Sequence, residues 1–371
     1  MSEPVPVLQG KDLKVTRAGS LLLDVPTLSI GAGETLALIG PNGAGKTTLL
    51  QCLGRLIKPF TGDLAFRGQR VGGEQPLFAY RRKIAMVFQE PLLFDTTVFA
   101  NCASGLRIRR LPRATIKKIV MENLERFGIS HLKDRSARTL SGGEAQRTSL
   151  ARAFAIAPEV LFLDEPFAVL DPPSREALIQ DLEQVLARTR TTTVFATHDR
   201  LEALRLSDRI AVMDRGRILQ IGPPEEVMNK PADEFVAAFV GVETIIEGSV
   251  VNREGGSLIV RLAGSKKTIE AVGEVQTGEQ VALCIRPEDV LLSTQLTPEA
   301  TSARNVFPGR IVRMVPLGLY YRVQLDCGFP LVAYVTNHAH DELALRVDAT
   351  VKASFKATAI HVVRRKGKTA E

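Results

Sequence analysis

Apolar and polar positions along the chain fall into two regimes. Up to about Gly241, short apolar runs at 35–39, 84–88, 160–163, 193–196 and 210–213 alternate with stretches of helical period at 46–56, 144–157 and 174–188. Strand, helix, strand, helix in succession predicts a parallel sheet covered by helices. After Val242 the runs read as short strands at 249–251, 258–262, 281–285, 310–315, 321–325 and 331–335. Glu254-Gly255-Gly256 and Asp326-Cys327-Gly328 are turn signals between them. This predicts an all-β, barrel-like region. It reads as two similar halves, 243–292 and 302–363, each a string of short strands ending in an apolar stretch. The expected domains are residues 1–241 and 242–371.

Composition narrows the class. A length of 371 residues suits two or three domains, and 45% hydrophobic residues can bury a real core. No apolar run approaches the ~18–20 residues needed to cross a bilayer. The first fifteen residues carry charges and two prolines and hold no apolar signal core. The chain is expected to stay on the side of the membrane where it is made. Cys52, Cys102, Cys284 and Cys327 share no metal-ligand spacing and read as reduced core residues. Net charge is +7, but the basic residues are scattered apart from a tail, Arg364, Arg365, Lys366 and Lys368, which reads as solvated. With no Trp and 5% aromatics the chain has no base-stacking platform, so nucleic acid is not an expected partner.

Gly40-Pro41-Asn42-Gly43-Ala44-Gly45-Lys46-Thr47 matches the phosphate-loop pattern between a predicted strand and a predicted helix. Glycines there let backbone N–H groups close around a polyphosphate, and the helix N-terminus adds partial positive charge. Lys46 would reach the β- and γ-phosphates and the Thr47 hydroxyl would ligate Mg²⁺, with Thr48 next to it in the ATP site. The apolar strand 160–163 ends in Asp164 and Glu165. Asp164 would join the Mg²⁺ shell, and Glu165 would polarise an attacking water. Ser141-Gly142-Gly143 caps a second helix start, near Glu144. One chain cannot easily aim two helix starts at one triphosphate, so the economical arrangement is a dimer in which each chain offers Ser141-Gly142-Gly143 to the other's ATP.

The phosphate loop, Leu140-Ser141-Gly142-Gly143-Glu144-Ala145-Gln146-Arg147, Phe162-Leu163-Asp164-Glu165-Pro166 and Thr197-His198-Asp199 together resemble the ABC ATPase family, in its order, over roughly the first two-thirds of the chain. The resemblance implies the ABC-type P-loop fold: a mixed sheet with a helical subdomain. It also implies ATP and Mg²⁺ as cofactors. Gln89 would sense Mg²⁺ and the attacking water, His198 would contact the γ-phosphate, and Asp171 would cross the dimer interface. Two positions depart from the family pattern. Arg17 stands where an adenine-stacking aromatic is usual, and a guanidinium can also stack on a base. Ala168 stands where Ser is frequent.

Cys284-Ile285-Arg286-Pro287-Glu288-Asp289-Val290 resembles the transport-associated, OB-like β-barrel domain of importer ATPases. The segments 302–305 and 354–358 resemble molybdate- or tungstate-binding repeats, with Ser302, Arg304, Asn305 and Lys356 as oxyanion donors. A purely structural barrel that strengthens the dimer is the alternative. His338 and His340 have no third ligand nearby and read as a solvated loop. The function expected is the ATPase subunit of an ABC importer on the cytoplasmic face of the membrane, working with membrane permease subunits, a second copy of itself and a substrate-binding protein. The cargo expected is an oxyanion such as tungstate or molybdate. Iron, sulfate, polyamine or sugar import is the alternative, and a non-transport ABC ATPase or a single-site P-loop kinase or GTPase are the more distant ones.

Overall fold

The structure, a computed structural model, describes residues 5–57, 60–294 and 301–365. The chain forms two units, Met1–Pro224 and Glu225–Glu371.

The first unit contains two sheets. β1 (Leu8–Arg17), β2 (Ser20–Ile30), β4 (Thr61–Phe66) and β5 (Gln69–Arg70) form an antiparallel sheet in the order β2-β1-β4-β5. Ala18 and Gly19, with φ of 48° and 80°, make the tight turn between β1 and β2. β3 (Thr35–Ile39) and α1 (Lys46–Leu53) follow β2, and α2 (Leu77–Arg81) precedes β6 (Ile84–Val87). β7 (Val160–Asp164), β8 (Thr192–Thr197), β9 (Arg209–Asp214) and β10 (Arg217–Gly222) complete a second sheet, ordered β10-β9-β3-β8-β7-β6. Its strands are parallel except β10, which pairs antiparallel with β9. The alternation of strands and helices predicts the parallel pairings, and the mixed sheet that the family resemblance implies is the one found; the separate antiparallel sheet of β2-β1-β4-β5 was not read from the alternation. Every residue of β3, β7 and β8 is buried, as a sheet covered on both faces requires.

Between β6 and β7 lies a helical subdomain of α3 (Val98–Ile108), α4 (Arg113–Arg126) and α5 (Gly142–Ala155). Phe127 and Phe154 pack there at 5.6 Å. α6 (Pro172–Thr189) and α7 (Arg200–Leu206) flank β8 in sequence.

The second unit begins at Glu225, inside α8 (Pro224–Asn229), and includes α9 (Glu234–Phe239), both ahead of the boundary expected at 241. Its strands are β11 (Thr244–Glu254), β12 (Ser257–Leu262), β13 (Thr268–Val272), β14 (Gln280–Ile285), β15 (Leu291–Ser293), β16 (Asn305–Pro316), β17 (Tyr320–Asp326), β18 (Pro330–Thr336), β19 (Thr350–Phe355) and β20 (His361–Arg364), with α10 (Asn337–Glu342) after β18. They form two five-stranded antiparallel sheets, β13-β12-β11-β14-β20 and β15-β19-β16-β17-β18. The halves repeat in register. Gly248 faces Val281 and Gly309 faces Val351, and a bulge follows at Val250/Asn252 and at Ile311/Arg313. Each half gives its last strand to the other's sheet: β15 pairs with β19, and β20 with β14. One hydrophobic core spans both halves, from Ile246 to Ile360.

The basic tail is not simply solvated. Arg364 belongs to β20, and Arg365 pairs with Glu234 at 2.6 Å and Glu247 at 2.5 Å. Lys366 and Lys368 lie outside the described residues. His338 and His340 sit on a helix rather than a loop, with His340 stacked on Tyr321 at 4.1 Å. No cluster of three or more metal-binding side chains occurs among the described residues. All four cysteines are free and buried; desolvation pushes Cys52, Cys102 and Cys284 up to about 12 and Cys327 up to about 11.

Candidate functional site

The neighbours β3, β8, β7 and β6 run parallel, so their carboxyl ends share one edge of the sheet. That edge is where ligands bind in open α/β sheets. It carries the loop 40–46 after β3, His198 after β8, Asp164 and Glu165 at the end of β7, and Gln89 beyond β6. A cleft of about 440 Å³ opens there, lined by residues 42–48, Gln89, Glu165, Ala168, His198 and Leu22.

The loop has a fixed shape. A Cβ on Gly40 would run into the carbonyl oxygen of Met213. Gly45, at φ 100°, is the N-cap of α1, and no side chain caps the helix. The first N–H groups of α1 therefore open on the cleft, where an anion can accept them. Lys46 is buried, at 6% exposure, and its Nζ donates to Gly40 O at 2.8 Å and Pro41 O at 3.2 Å. It also lies 3.5 Å from Glu165 Oε1. Gly40 and Pro41 thus stand behind the cleft and brace the ammonium.

The Thr47 hydroxyl donates to Asp164 Oδ1 at 2.8 Å. Burial pushes the Asp164 carboxyl above its usual range, against that hydrogen bond, and the neighbouring Glu165 adds to the rise. Glu165 holds a left-handed backbone, φ 47°, fixed by its N–H donating to Ala196 O at 3.0 Å. Its Oε2 lies 2.6 Å from His198 Nδ1.

Other expected residues stand apart from this cleft. Ser141 caps α5 in a capping box: its Oγ accepts from Glu144 N at 3.3 Å and its N–H donates to Glu144 Oε2 at 2.7 Å. The hydrogen bond from the Ser141 backbone is the main reason the Glu144 carboxyl sits below its usual range. Ser141 and Gly142 are exposed, and a Cβ on Gly142 would lie 3.8 Å from Val169 O, close to Asp171. Asp171 caps α6 through Ser174 N at 3.2 Å, and the hydrogen bonds with Ser174 lower its carboxyl below the usual range. Ser141, Gly142, Gly143 and Asp171 line none of the cleft around their own phosphate loop.

Arg17 is exposed at the end of β1 and also lines none of the cleft. The apolar wall is Leu22, on the other strand of that hairpin, which sequence reasoning missed. Gly216 positions it: Gly216 N donates to Ala44 O at 2.9 Å and Gly216 O accepts from Asp24 N at 2.8 Å. The run Leu21-Leu22-Leu23 was visible in sequence, but its register toward the phosphate loop depends on the distant β9–β10 turn.

In the second unit Asn305 is buried and its amide is engaged, Oδ1 accepting Glu270 N at 2.8 Å and Nδ2 donating to Glu270 O at 2.7 Å. In the other half the Thr244 hydroxyl accepts one backbone bond, from Val332 N at 3.0 Å. Ser302, Arg304 and Lys356 are exposed. Lys356 precedes a short turn before β20, where Arg286 precedes its counterpart before β15.

A phosphate loop on the carboxyl edge of a covered sheet, with an ammonium, two carboxylates and an imidazole converging on it, defines a P-loop ATPase. A family model described as ABC transporter matches residues 23–168, and one described as TOBE domain matches 301–362. The chain is 39% identical over 340 residues to the molybdate/tungstate import ATP-binding protein WtpC of Pyrococcus horikoshii, covering 91% of this chain and 94% of that protein. It is 36% identical to the spermidine/putrescine import ATP-binding protein PotA of Ruegeria pomeroyi, covering 91% and 90%. It is also 36% identical to the sulfate/thiosulfate import ATP-binding protein CysA of Thermosynechococcus vestitus, covering 86% and 87%. Among solved structures, cbiO1 of Clostridium perfringens, part of the ABC transporter complex cbiONQ, superposes with TM-score 0.57 at 32% identity, over 65% of this chain and 96% of that one. The chain belongs to the ABC transporter family, as an ATP-binding import subunit with a C-terminal TOBE domain, and it is an ATPase.

Proposed function

We propose that this subunit powers import of an oxyanion of the molybdate or tungstate kind. The observation that supports the cargo is the 39% identity, across both units, to molybdate/tungstate import subunits, above the 36% to polyamine and sulfate ones. In this reading two copies bind beneath a separate permease on the cytoplasmic face, and a binding protein delivers the anion from the other side.

The geometry of the cleft supports a role for each residue. The N–H groups of residues 43–48 and the Lys46 ammonium bind the phosphates, with no reorganisation of the loop. Thr47 and Asp164 put a hydroxyl and a carboxylate side by side at 2.8 Å, a hard-oxygen pair suited to Mg²⁺, with Gln89 completing the set. Bound there, Mg²⁺ would neutralise charge on the β- and γ-phosphates. Glu165 accepts a proton from the attacking water, and His198 holds that carboxylate and reaches the γ-phosphate. Ser141, Gly142 and Gly143 contribute from the second copy, together with Asp171. Ser302, Arg304 and Lys356 offer donors for regulatory anion binding.

The test is reconstitution with the cognate permease and binding protein in liposomes. Molybdate or tungstate should stimulate ATP hydrolysis at least about tenfold over sulfate or putrescine. Stimulation by putrescine or sulfate alone would reassign the cargo; hydrolysis indifferent to every loaded binding protein would remove the importer reading.

A further inference from the structure

Arg175 lies one turn into α6, outside the cleft. Its Nε donates to Glu202 Oε1 at 2.8 Å, and its Nη2 donates to the same oxygen at 2.5 Å and to Asp199 Oδ2 at 2.6 Å. Glu202 is only 4% exposed, and its other oxygen accepts the Thr197 hydroxyl. Thr197 Oγ1 in turn accepts the Asp199 N–H at 3.0 Å. Asp199 caps α7, its Oδ1 taking the N–H groups of Leu201 at 2.7 Å and Glu202 at 3.3 Å. His198 is the single residue between Thr197 and Asp199. The chain on both sides of the imidazole is therefore fastened to one cation. That cation stands on the helix begun by Asp171, whose carbonyl accepts the Arg175 N–H at 2.9 Å.

We propose that Arg175 is a positioning residue for hydrolysis, setting the His198 loop against the start of α6 so that the imidazole meets Glu165 in a fixed register. The inference rests on the role proposed above for His198. A carboxylate as buried as Glu202 needs a charged partner, and removing the guanidinium leaves that charge uncompensated. The oxygen that fastens Thr197 would then protonate or turn outward, freeing the loop. A lysine supplies one point charge and cannot bridge Glu202 and Asp199 in the same plane. Packing of α6 on α7 does not depend on this tie alone. Arg205 joins the same helices at Glu176, at 2.7 and 2.9 Å, and at Glu183, at 3.2 Å, without touching the loop.

The experiment compares Arg175→Met, Arg175→Lys, Arg205→Met, His198→Ala and the double variant Arg175→Met/His198→Ala. It reads kcat, KM for ATP, single-turnover phosphate release and thermal unfolding. Arg175→Met should lower kcat about tenfold or more with KM changed less than about twofold, and Arg175→Lys should fall between. In the His198→Ala background Arg175→Met should cost nothing further, because the two act on one step. Arg205→Met should leave kcat unchanged. If His198→Ala alone leaves kcat intact, the role assigned to His198 fails. If His198→Ala lowers kcat but Arg175→Met does not, or repeats its full loss in the His198→Ala background, the positioning role fails. Should Arg175→Met not fold, Arg175→Lys decides by the same comparison.

Discussion

Glu165 Oε2 and His198 Nδ1 meet at 2.6 Å, although they end different strands and lie 33 positions apart in sequence. The parallel pairing of β7 with β8 makes the meeting possible, since Asp164 is in register with Ala196. On its other side Glu165 faces the Lys46 ammonium at 3.5 Å. One carboxylate therefore sits between the Lys46 ammonium and the imidazole of the residue that follows β8.

Glu165→Gln should keep nucleotide affinity and lose turnover by about 10²- to 10⁴-fold, because the amide keeps the shape but cannot take a proton. Steady-state phosphate release measured beside nucleotide binding checks it; hydrolysis near the wild-type rate would exclude Glu165 as the base.

Hydrolysis should need two chains. Ser141 and Asp171 line none of their own cleft, yet both are exposed, and Gly142 and Gly143 lie beside Val169 and Leu170. Lys46→Ala and Ser141→Arg chains should each be inactive alone and recover part of the activity when mixed, since the mixed dimer keeps one intact site. Mixed dimers verified by sizing but still inactive would rule the arrangement out.

Leu22 should matter for nucleotide affinity and Arg17 should not. Leu22→Ser removes the apolar wall and should raise the Kd for ATP about three- to tenfold with kcat unchanged, while Arg17→Ala stays within about twofold. Gly216→Ala should be harsher, because φ is 79° there and a Cβ would run into the Leu22 carbonyl. Fluorescent-nucleotide titration separates the three; an Arg17→Ala loss exceeding that of Leu22→Ser would reverse the assignment.

Asn305 and Lys356 should respond in opposite assays. Asn305→Ala leaves both backbone groups of Glu270 without a partner and should cost about 2 kcal/mol of stability. Lys356→Ala should leave unfolding unchanged and weaken molybdate or tungstate binding to the full-length chain about tenfold. Calorimetry and thermal unfolding on both variants provide the readout. Equal anion affinity in wild type and Lys356→Ala would remove Lys356 from anion binding.

Stability should fall on mild acidification. Burial holds the His361 imidazole below its usual value of 6.5, against a hydrogen bond of 2.8 Å with Pro231 O. A base depressed in the folded state binds its proton more readily when unfolded, so its contribution is present above the unfolded value and shrinks as pH drops through it. The Tm should decline between about pH 7.5 and 5.5, and His361→Gln should flatten part of that slope. An unchanged slope in His361→Gln would assign the acid sensitivity elsewhere.

What the sequence determined by itself was local. The phosphate loop, its flanking strand and helix, the helix start capped by Ser141 and the acidic end of β7 depend on residues a few positions apart, and their physics is set by turn geometry, helix starts and side-chain reach. The short strands and turn signals of the second unit were legible for the same reason, but the register that matches its two halves came from the pairings. Only the tertiary structure decided the rest. That β3 lies between β8 and β9, that Leu22 rather than Arg17 walls the cleft, that β15 and β20 trade sheets, and that Arg175 reaches Glu202 all rest on pairings between distant segments. Strand partners are chosen by which apolar faces can be covered together in three dimensions, and no spacing along the chain records that choice.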